Sequence, residues 1–380
     1  MKILAIYPGL NPGMNEYAYV MQALADMGHD VTVITARANP MKGIADSVRY
    51  EASGNLHIHR PYRNHDHMMY AFWTQRGEVL RIAKAAQPDI LLCSQEYNFL
   101  LARMIQRQLN VPMALAVEDA GRIARGYFPG RVRPKLLRFL GVPIVGQRYW
   151  PWLASQSDAV MTYDSTDIPR LDELATSGGA PVSFIPWCNP LPSGFVKPAQ
   201  RERRVVYIGT FNPHKNTNAL GWAIPQILEQ TPTDYALLIG PGDTAVVDTL
   251  KARYGERIRY LSGCSRMEAL DYLAGSHFAF TPLKAGYGGF IGDAWNVETP
   301  LLTVSGTVGL IDQIDALVPA HDEDVGRLAR LLYDDPALYR RLQEGGRLRA
   351  EKSSAAGVAK HMTEVFAHLL PPIIPITSRS

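Results

Sequence analysis

Residues 285–300 read AGYGGFIGDAWNVETP, with Gly286, Gly288 and Gly289 just ahead of an apolar, helix-compatible run. Glycines let a backbone approach a ligand closely, and the N–H groups and dipole at a helix start favour an anion. The loop is therefore a candidate phosphate site. The spacing puts Asp293 on the first turn of the helix. There it either caps the helix or accepts hydrogen bonds from ribose hydroxyls, and spacing alone leaves both open. A second stretch, YIGTFNPHKN, has Gly209 at a strand end and Lys215 six residues on, before a helix, so a cation falls where an anion would sit.

Carboxylates form a second group. VPMALAVEDAG places Glu118 and Asp119 directly after a strand, and Glu16 stands in the loop after the first strand, in PGLNPGMNEYAY. A carboxylate at such an edge can take a proton from an attacking hydroxyl, or it can serve only a following helix. His57, His59, His65 and His67 make two HxH pairs, and in a strand residues i and i+2 share a face and could chelate a metal. Arg60 and Arg63 lie among them and would repel a cation, so a polar loop without metal is expected, with acceptor contact as its role if it has one.

The elements that must position these residues follow a repeating grammar. KILAIYPG is a strand ended by turn residues, a helical pattern runs through Tyr17, Val20, Met21, Leu24 and Met27 to Gly28, and DVTVIT is the next strand. Strand, helix, strand within so short a span implies a parallel sheet. DILLCS, PMALAV, AVMTYD and VSFIPW continue as strands, NFLLARMIQRQL as a helix, and a short helix is expected from Ile168. The Pro-rich NPLPSGFVKPAQRERR (189–204) separates two halves. RRVVYIGT, YALLIG, RIRYLSG, FAFTPL and LLTVSG are strands of the second half. Ala219 to Gln230, MEALDYLAGS and a start at GDAWNVE are helices, and Val325 to Ala350 is one long amphipathic helix. The expected domains are 1–190, a linker at 191–204, 205–355, and a C-terminal helix with a frayed tail at 356–380 that packs back on the first domain. Two doubly wound α/β domains would leave an interdomain cleft between the carboxyl ends of their strands, where ligands bind.

Composition narrows the class. The 380 residues are 47% hydrophobic and 20% charged, enough for real cores and against disorder. Cys93, Cys188 and Cys264 are odd in number and far apart, which fits reduced thiols and a cytoplasmic protein. The apolar run after Lys2 is broken by Pro8 and Gly9, so neither a secretory signal nor a membrane span is expected. The net charge of +3 is local: residues 121–150 hold seven Arg or Lys and no acid, interleaved with Tyr127, Phe128, Phe139, Tyr149 and Trp150. That mixture suits an anionic membrane surface, so docking on the inner face of the cytoplasmic membrane is expected; no nucleic-acid motif accompanies it.

With these segments in order, the second half resembles the nucleotide-sugar-binding domain of GT-B glycosyltransferases, in particular glycosyltransferase family 4. The resemblance runs through VVYIGTFNPHKN, LLIGPGD, IRYLSGCSRMEALDYLAGSHFAFTPL and GYGGFIGDAWNVETPLLT, and more loosely through KILAIYPG, QPDILLCS and FIPWCNP in the first half. It implies a GT-B fold of two Rossmann-like domains. It also implies a nucleotide-diphosphate sugar as donor substrate, no covalently bound cofactor, and Lys215 as the diphosphate-binding lysine. Gly209, Thr210, Gly240, Gly263, Tyr287, Gly288 and Gly289 complete the donor side, and Asp293 stands where the family holds the ribose. Departures are specific. Thr210 replaces a usual arginine, Ala285 replaces the glutamate that contacts the donor hexose, and Glu298 replaces the glycine before the closing proline. Glu118, followed by Asp119, stands where the family has a histidine near the donor sugar. The implied activity is metal-independent sugar transfer to a glycan, lipid-linked or small-molecule acceptor in cell-envelope or glycoconjugate synthesis, with Glu118, Asp119 and Glu16 as candidate bases. A sugar-nucleotide epimerase and an inactive binding protein are the alternatives.

Overall fold

The computed structural model describes residues 1–7, 16–38, 48–64, 74–94, 98–117, 152, 155–162, 182–184, 190–284 and 288–370. The short helix expected from Ile168, the basic stretch 121–150, His65, His67, Glu118, Asp119, Ala285, Gly286 and Tyr287 lie outside them. The chain divides into two compact units, Met1–Ile185 with Ala355–Ser380, and Pro186–Ser354.

Unit 1 is built on an eight-stranded sheet in the order β3-β4-β2-β1-β5-β6-β7-β8. The strands are β1 (Lys2–Ile6), β2 (Asp30–Ala38), β3 (Tyr50–Ser53), β4 (Leu56–Asn64), β5 (Ile90–Ser94), β6 (Met113–Val117), β7 (Ala159–Thr162) and β8 (Val182–Phe184). All pairings are parallel except β3 with β4. Ile3, Leu4, Ala5 and Ile6 are each at most 1% exposed, as a central parallel strand covered on both faces requires. The described helices are α1 (Glu16–Asp26), α2 (Arg76–Ala86) and α3 (Phe99–Leu109).

Unit 2 holds a five-stranded parallel sheet in the order β11-β10-β9-β12-β13. Its strands are β9 (Glu202–Ile208), β10 (Tyr235–Ile239), β11 (Ile258–Leu261), β12 (Ser276–Phe280) and β13 (Leu301–Leu302). Its helices are α4 (Leu220–Gln230), α5 (Ala245–Tyr254), α6 (Arg266–Ala274), α7 (Gly289–Asn296), α8 (Val325–Asp334) and α9 (Pro336–Lys352), and α10 (Ala355–Leu369) follows in unit 1. Within unit 1, α10 packs on α1, with His29 Nε2 3.1 Å from Thr363 Oγ1. Both sheets wind outward in two directions from their first strand, reversing between β1 and β5 and between β9 and β12. At such a reversal the loops from adjacent strand ends leave in opposite directions and open a crevice at the carboxyl edge.

Three expectations change. The histidine segment is not a polar loop: His57 and His59 lie in β4, where Leu56 and Ile58 are buried at the alternate positions. That period of two outweighed the polar composition. The long helix from Val325 is two helices. Asp335 accepts hydrogen bonds from Ala337 N (3.0 Å) and Leu338 N (2.9 Å), and Pro336 occupies the first helical position of α9. The helix containing Asp293 starts at Gly289, earlier than GDAWNVE implied.

In the second core, His277 of β12 stacks on Tyr333 (4.0 Å between ring centres) and Tyr339 (4.7 Å), and its Nε2 donates to Leu332 O at 3.0 Å. Burial, aided by Arg201, holds its pKa below the usual 6.5 despite that hydrogen bond. The unfolded chain therefore takes up a proton near pH 6.5 that the folded unit resists. The stability this group contributes is present above that pH and is lost as pH falls towards the lower folded value. Chemical denaturation at about pH 7.5 and about pH 5.5 should show a smaller loss of stability on acidification for His277→Phe than for the parent chain.

Candidate functional site

The loop after β9 is held by a backbone ladder that continues past the strand ends. Gly209 N donates to Ile239 O (2.9 Å), Phe211 N to Pro241 O (2.8 Å), and Asp243 N to Phe211 O (3.0 Å). This seam accounts for two glycines. Gly240 (φ 144) carries no Cβ because one would stand 1.9 Å from Gly209 O, and Gly242 (φ 125) because one would stand 2.2 Å from Phe211 O. Gly240 thus has a packing reason independent of any ligand. At Gly263 a Cβ would meet nothing within 4 Å, so packing does not demand a glycine there. Below the seam, Phe290, Tyr207, Phe211 and Tyr260 form a chain of ring contacts 5.4 to 5.9 Å apart. Burial pushes the Tyr207 phenol up to about 12, so it stays neutral.

The seam delivers Lys215 to the reversal between β9 and β12. Asn212 Oδ1 accepts from Lys215 N at 2.9 Å, capping the single 3-10 turn Pro213–Lys215, and Thr217 Oγ1 donates to Asn212 O at 3.0 Å. Asn216, in the left-handed region at φ 54, sends Nδ2 across the crevice to Pro282 O at 2.9 Å. The loop after β9 is thereby tied to the loop after β12. Lys215 and Thr210 are exposed on the first of these loops, and Thr210 offers no charge.

The second loop leads into α7. Gly288 (φ 123, ψ 160) is its N-cap residue and has no side chain to cap with. The positive backbone angle explains a glycine at 288, and the first N–H groups of α7 are turned outward past the helix start. Asp293 does not serve them. It is the fifth residue of α7, one turn too late to cap, so that expectation is corrected. Its Oδ1 accepts instead from Arg266 Nη2 at 3.0 Å, with Asp293 13% exposed. The same Nη2 donates to Pro190 O at 2.9 Å. Arg266 starts α6, whose capping box joins Ser265 and Glu268. The box has the S-x-x-E pattern expected of it; nothing local signals the reach of Arg266 to Asp293.

The other end of α7 is densely bonded. Glu298 N donates to Trp295 O (3.0 Å) and Thr299 N to Ala294 O (2.8 Å), a Schellman closure with Glu298 at φ 58. Arg201 Nη2 donates to Val297 O and Glu298 O, Gln343 Nε2 also reaches Glu298 O, and Lys197 Nζ pairs with Glu298 Oε1 at 2.7 Å. The family's glycine at this position fits the left-handed angle; here a glutamate is held in it.

In unit 1, Glu16 opens α1 after the loop that follows β1, and β6 ends at Val117, just before Glu118 and Asp119. Between β1 and β6 runs β5, whose last residue, Ser94, and the Asn98 cap position of α3 were not anticipated. Both are at most 1% exposed, and Asn98 Nδ2 donates to Ser94 O at 2.8 Å. Ser94 Oγ and Asn98 Oδ1 have no hydrogen-bond partner among the described residues. Buried polar atoms left so at a sheet reversal are candidates for substrate contact.

These features can be set beside known proteins. Residues 13–162 match the family model described as Glycosyltransferase Family 4. Sucrose-phosphate synthase from Thermosynechococcus elongatus superimposes with a TM-score of 0.69 at 17% identity, over 97% of this chain and 98% of that one. The fold is GT-B. A UDP-forming α,α-trehalose-phosphate synthase from Burkholderia vietnamiensis shares this GT-B architecture with a TM-score of 0.66 at 12% identity, over 96% of both chains. Anabaena Alr3699/HepE, solved with UDP-glucose, matches with a TM-score of 0.61 at 13% identity, over 97% of this chain and 99% of that one. No curated protein matches the sequence. Among the described residues of this GT-B chain no helix is long and apolar enough to cross a membrane.

The left-handed angle at Glu298 costs roughly 1 kcal/mol or more, and its half-exposed pair with Lys197 returns less than about 1 kcal/mol. Glu298→Gly should therefore raise unfolding free energy by about 0.5 kcal/mol; urea denaturation measures it, and a loss would show that the ion pair outweighs the strain.

Proposed function

We propose that this chain transfers a sugar from a nucleotide diphosphate to an acceptor, with the donor held on unit 2. The observation that carries the reading is the start of α7 on two glycines, Gly288–Gly289, beside a loop tied by Asn216 to the one presenting Lys215. A diphosphate there meets backbone N–H groups and an ammonium, which supply the positive charge that a metal supplies elsewhere. Asp293, oriented by Arg266, takes the ribose hydroxyls. Gly209, Thr210, Gly263, Tyr287 and Gly289 line the donor, and Gly240 acts through the seam. HepE's complex makes UDP-glucose the first donor to test.

Glu118, Asp119 and Glu16 are the candidate bases for the acceptor hydroxyl, and Ser94 with Asn98 would contact the acceptor or transferred sugar from the β5 edge. The basic stretch 121–150 supports an anionic surface and a lipid-linked or glycan acceptor, with a cytoplasmic site of action and a role in polysaccharide or glycoconjugate synthesis. A binding protein without transfer is the second reading, favoured by Thr210 and Ala285 in place of the family's arginine and glutamate.

Calorimetric titration with UDP-glucose tests the donor site. Lys215→Ala should weaken binding about 10- to 100-fold, the worth of one charge-assisted contact. Arg266→Ala, which removes the cation holding Asp293, should weaken it by about tenfold. Undiminished affinity in both variants would reject this donor site. Release of UDP that depends on an added acceptor separates transfer from mere binding.

A further inference from the structure

Unit 1 has a polar hollow at the amino edge of its sheet, the edge away from the β1–β5 reversal. It has a volume of about 260 Å³ and is lined by Lys2, Asp30, Thr32, His57, His59 and Arg81, with the last turn of α2 as a wall. Lys2 and Asp30 open β1 and β2 and face each other in register, as do Thr32 and His57 and, one step deeper, Ile34 and His59. Farther along the same layer Leu4, Ile34 and Tyr62 pack with Val79, Ile82 and Ala83. The sequence thus places polar side chains where a helix-covered sheet ordinarily takes apolar ones, and setting them there costs free energy.

The ionisable groups lining the hollow are Lys2 on β1, Asp30 on β2, His57 and His59 on β4 and Arg81 on α2, and Tyr50 on β3 and Glu78 on α2 neighbour the histidines. Tyr50 Oη lies 3.1 Å from His57 Nδ1, and His57 Nε2 lies 3.8 Å from Asp30 Oδ1. Lys2 Nζ donates to Gln87 Oε1 at 3.3 Å, which holds the ammonium at the rim. Burial, with His57 and Arg81 as neighbours, keeps the His59 pKa below its usual value, while Glu78 opposes them. Two fixed cations on the lining disfavour a metal ion. Among the described residues no three His, Cys, Asp or Glu side chains are arranged to hold one.

We propose that this hollow binds a small phosphate-class oxyanion, held by Arg81 and Lys2 and hydrogen-bonded by Thr32, His57 and His59. An anion there pairs with the Arg81 guanidinium and the Lys2 ammonium and accepts from the imidazole N–H groups and the Thr32 hydroxyl.

The test is inorganic phosphate added to the full chain with ¹⁵N-labelled histidine, read by imidazole NMR against chloride at equal ionic strength. The expected result is a saturable shift of the His57 and His59 signals with a dissociation constant on the order of 1 mM. Arg81→Gln, an exposed position, should weaken it about tenfold or more and leave UDP-glucose affinity unchanged. No saturable shift beyond chloride, or a shift indifferent to Arg81→Gln, overturns the proposal. Because the probe is phosphate and the signals are in unit 1, failure here is separable from failure of the donor site in unit 2.

Discussion

A parallel sheet that winds in both directions from a central strand must open a crevice at its carboxyl edge, and the rest of unit 2 is arranged around that constraint. The crevice lies between β9 and β12. On one side the β9–β10 ladder runs on through Gly209, Phe211 and Asp243, which is sterically possible only because Gly240 and Gly242 lack side chains. On the other side α7 begins. Asn216 joins the two by donating to Pro282 O. Lys215 and the start of α7 are thus positioned by backbone geometry, so the cradle exists before a ligand arrives and little ordering remains to be paid for on binding.

The two ends of α7 differ in a way that has chemical meaning. Its C-terminal carbonyls are met by a Schellman closure, Arg201 and Gln343, and Trp295 Nε1 is bonded to Asp315 O at 3.0 Å. Its N-cap residue is Gly288, which has no side chain. A helix anchored at its C-terminus and begun on a glycine directs its positive dipole end towards the crevice. Asp293 sits one turn further in, and Arg266 links it to α6 and to Pro190 O. Thr210 brings no charge to its loop, and Arg266 is engaged with the Asp293 carboxylate.

Most of this architecture was legible in the chain. Strands such as KILAI and YALLI are continuous apolar runs, and glycine or proline marks their ends, so the two α/β units and their carboxyl edges could be placed. What escaped had local signals that conflicted or were absent. LHIHR reads as polar, yet its alternate residues Leu56 and Ile58 are buried. The stretch from Val325 is periodic throughout, but Asp335 and Pro336 stop one helix and cap the next. The places of Gly288, at a helix start, and Lys215, in the loop after β9, followed from residue type and spacing. The Arg266–Asp293 pair and the buried Ser94–Asn98 pair did not, because each depends on which loops the sheet order brings side by side.

The central claim is that a nucleoside diphosphate seats its phosphates on the start of α7. Backbone amide NMR of ¹⁵N-labelled protein titrated with UDP-glucose tests it most directly. The account predicts saturable shifts at Gly289, Phe290, Ile291 and Lys215, with the far end of α7 little changed. Saturable binding of UDP-glucose that leaves those four amides unmoved would contradict it.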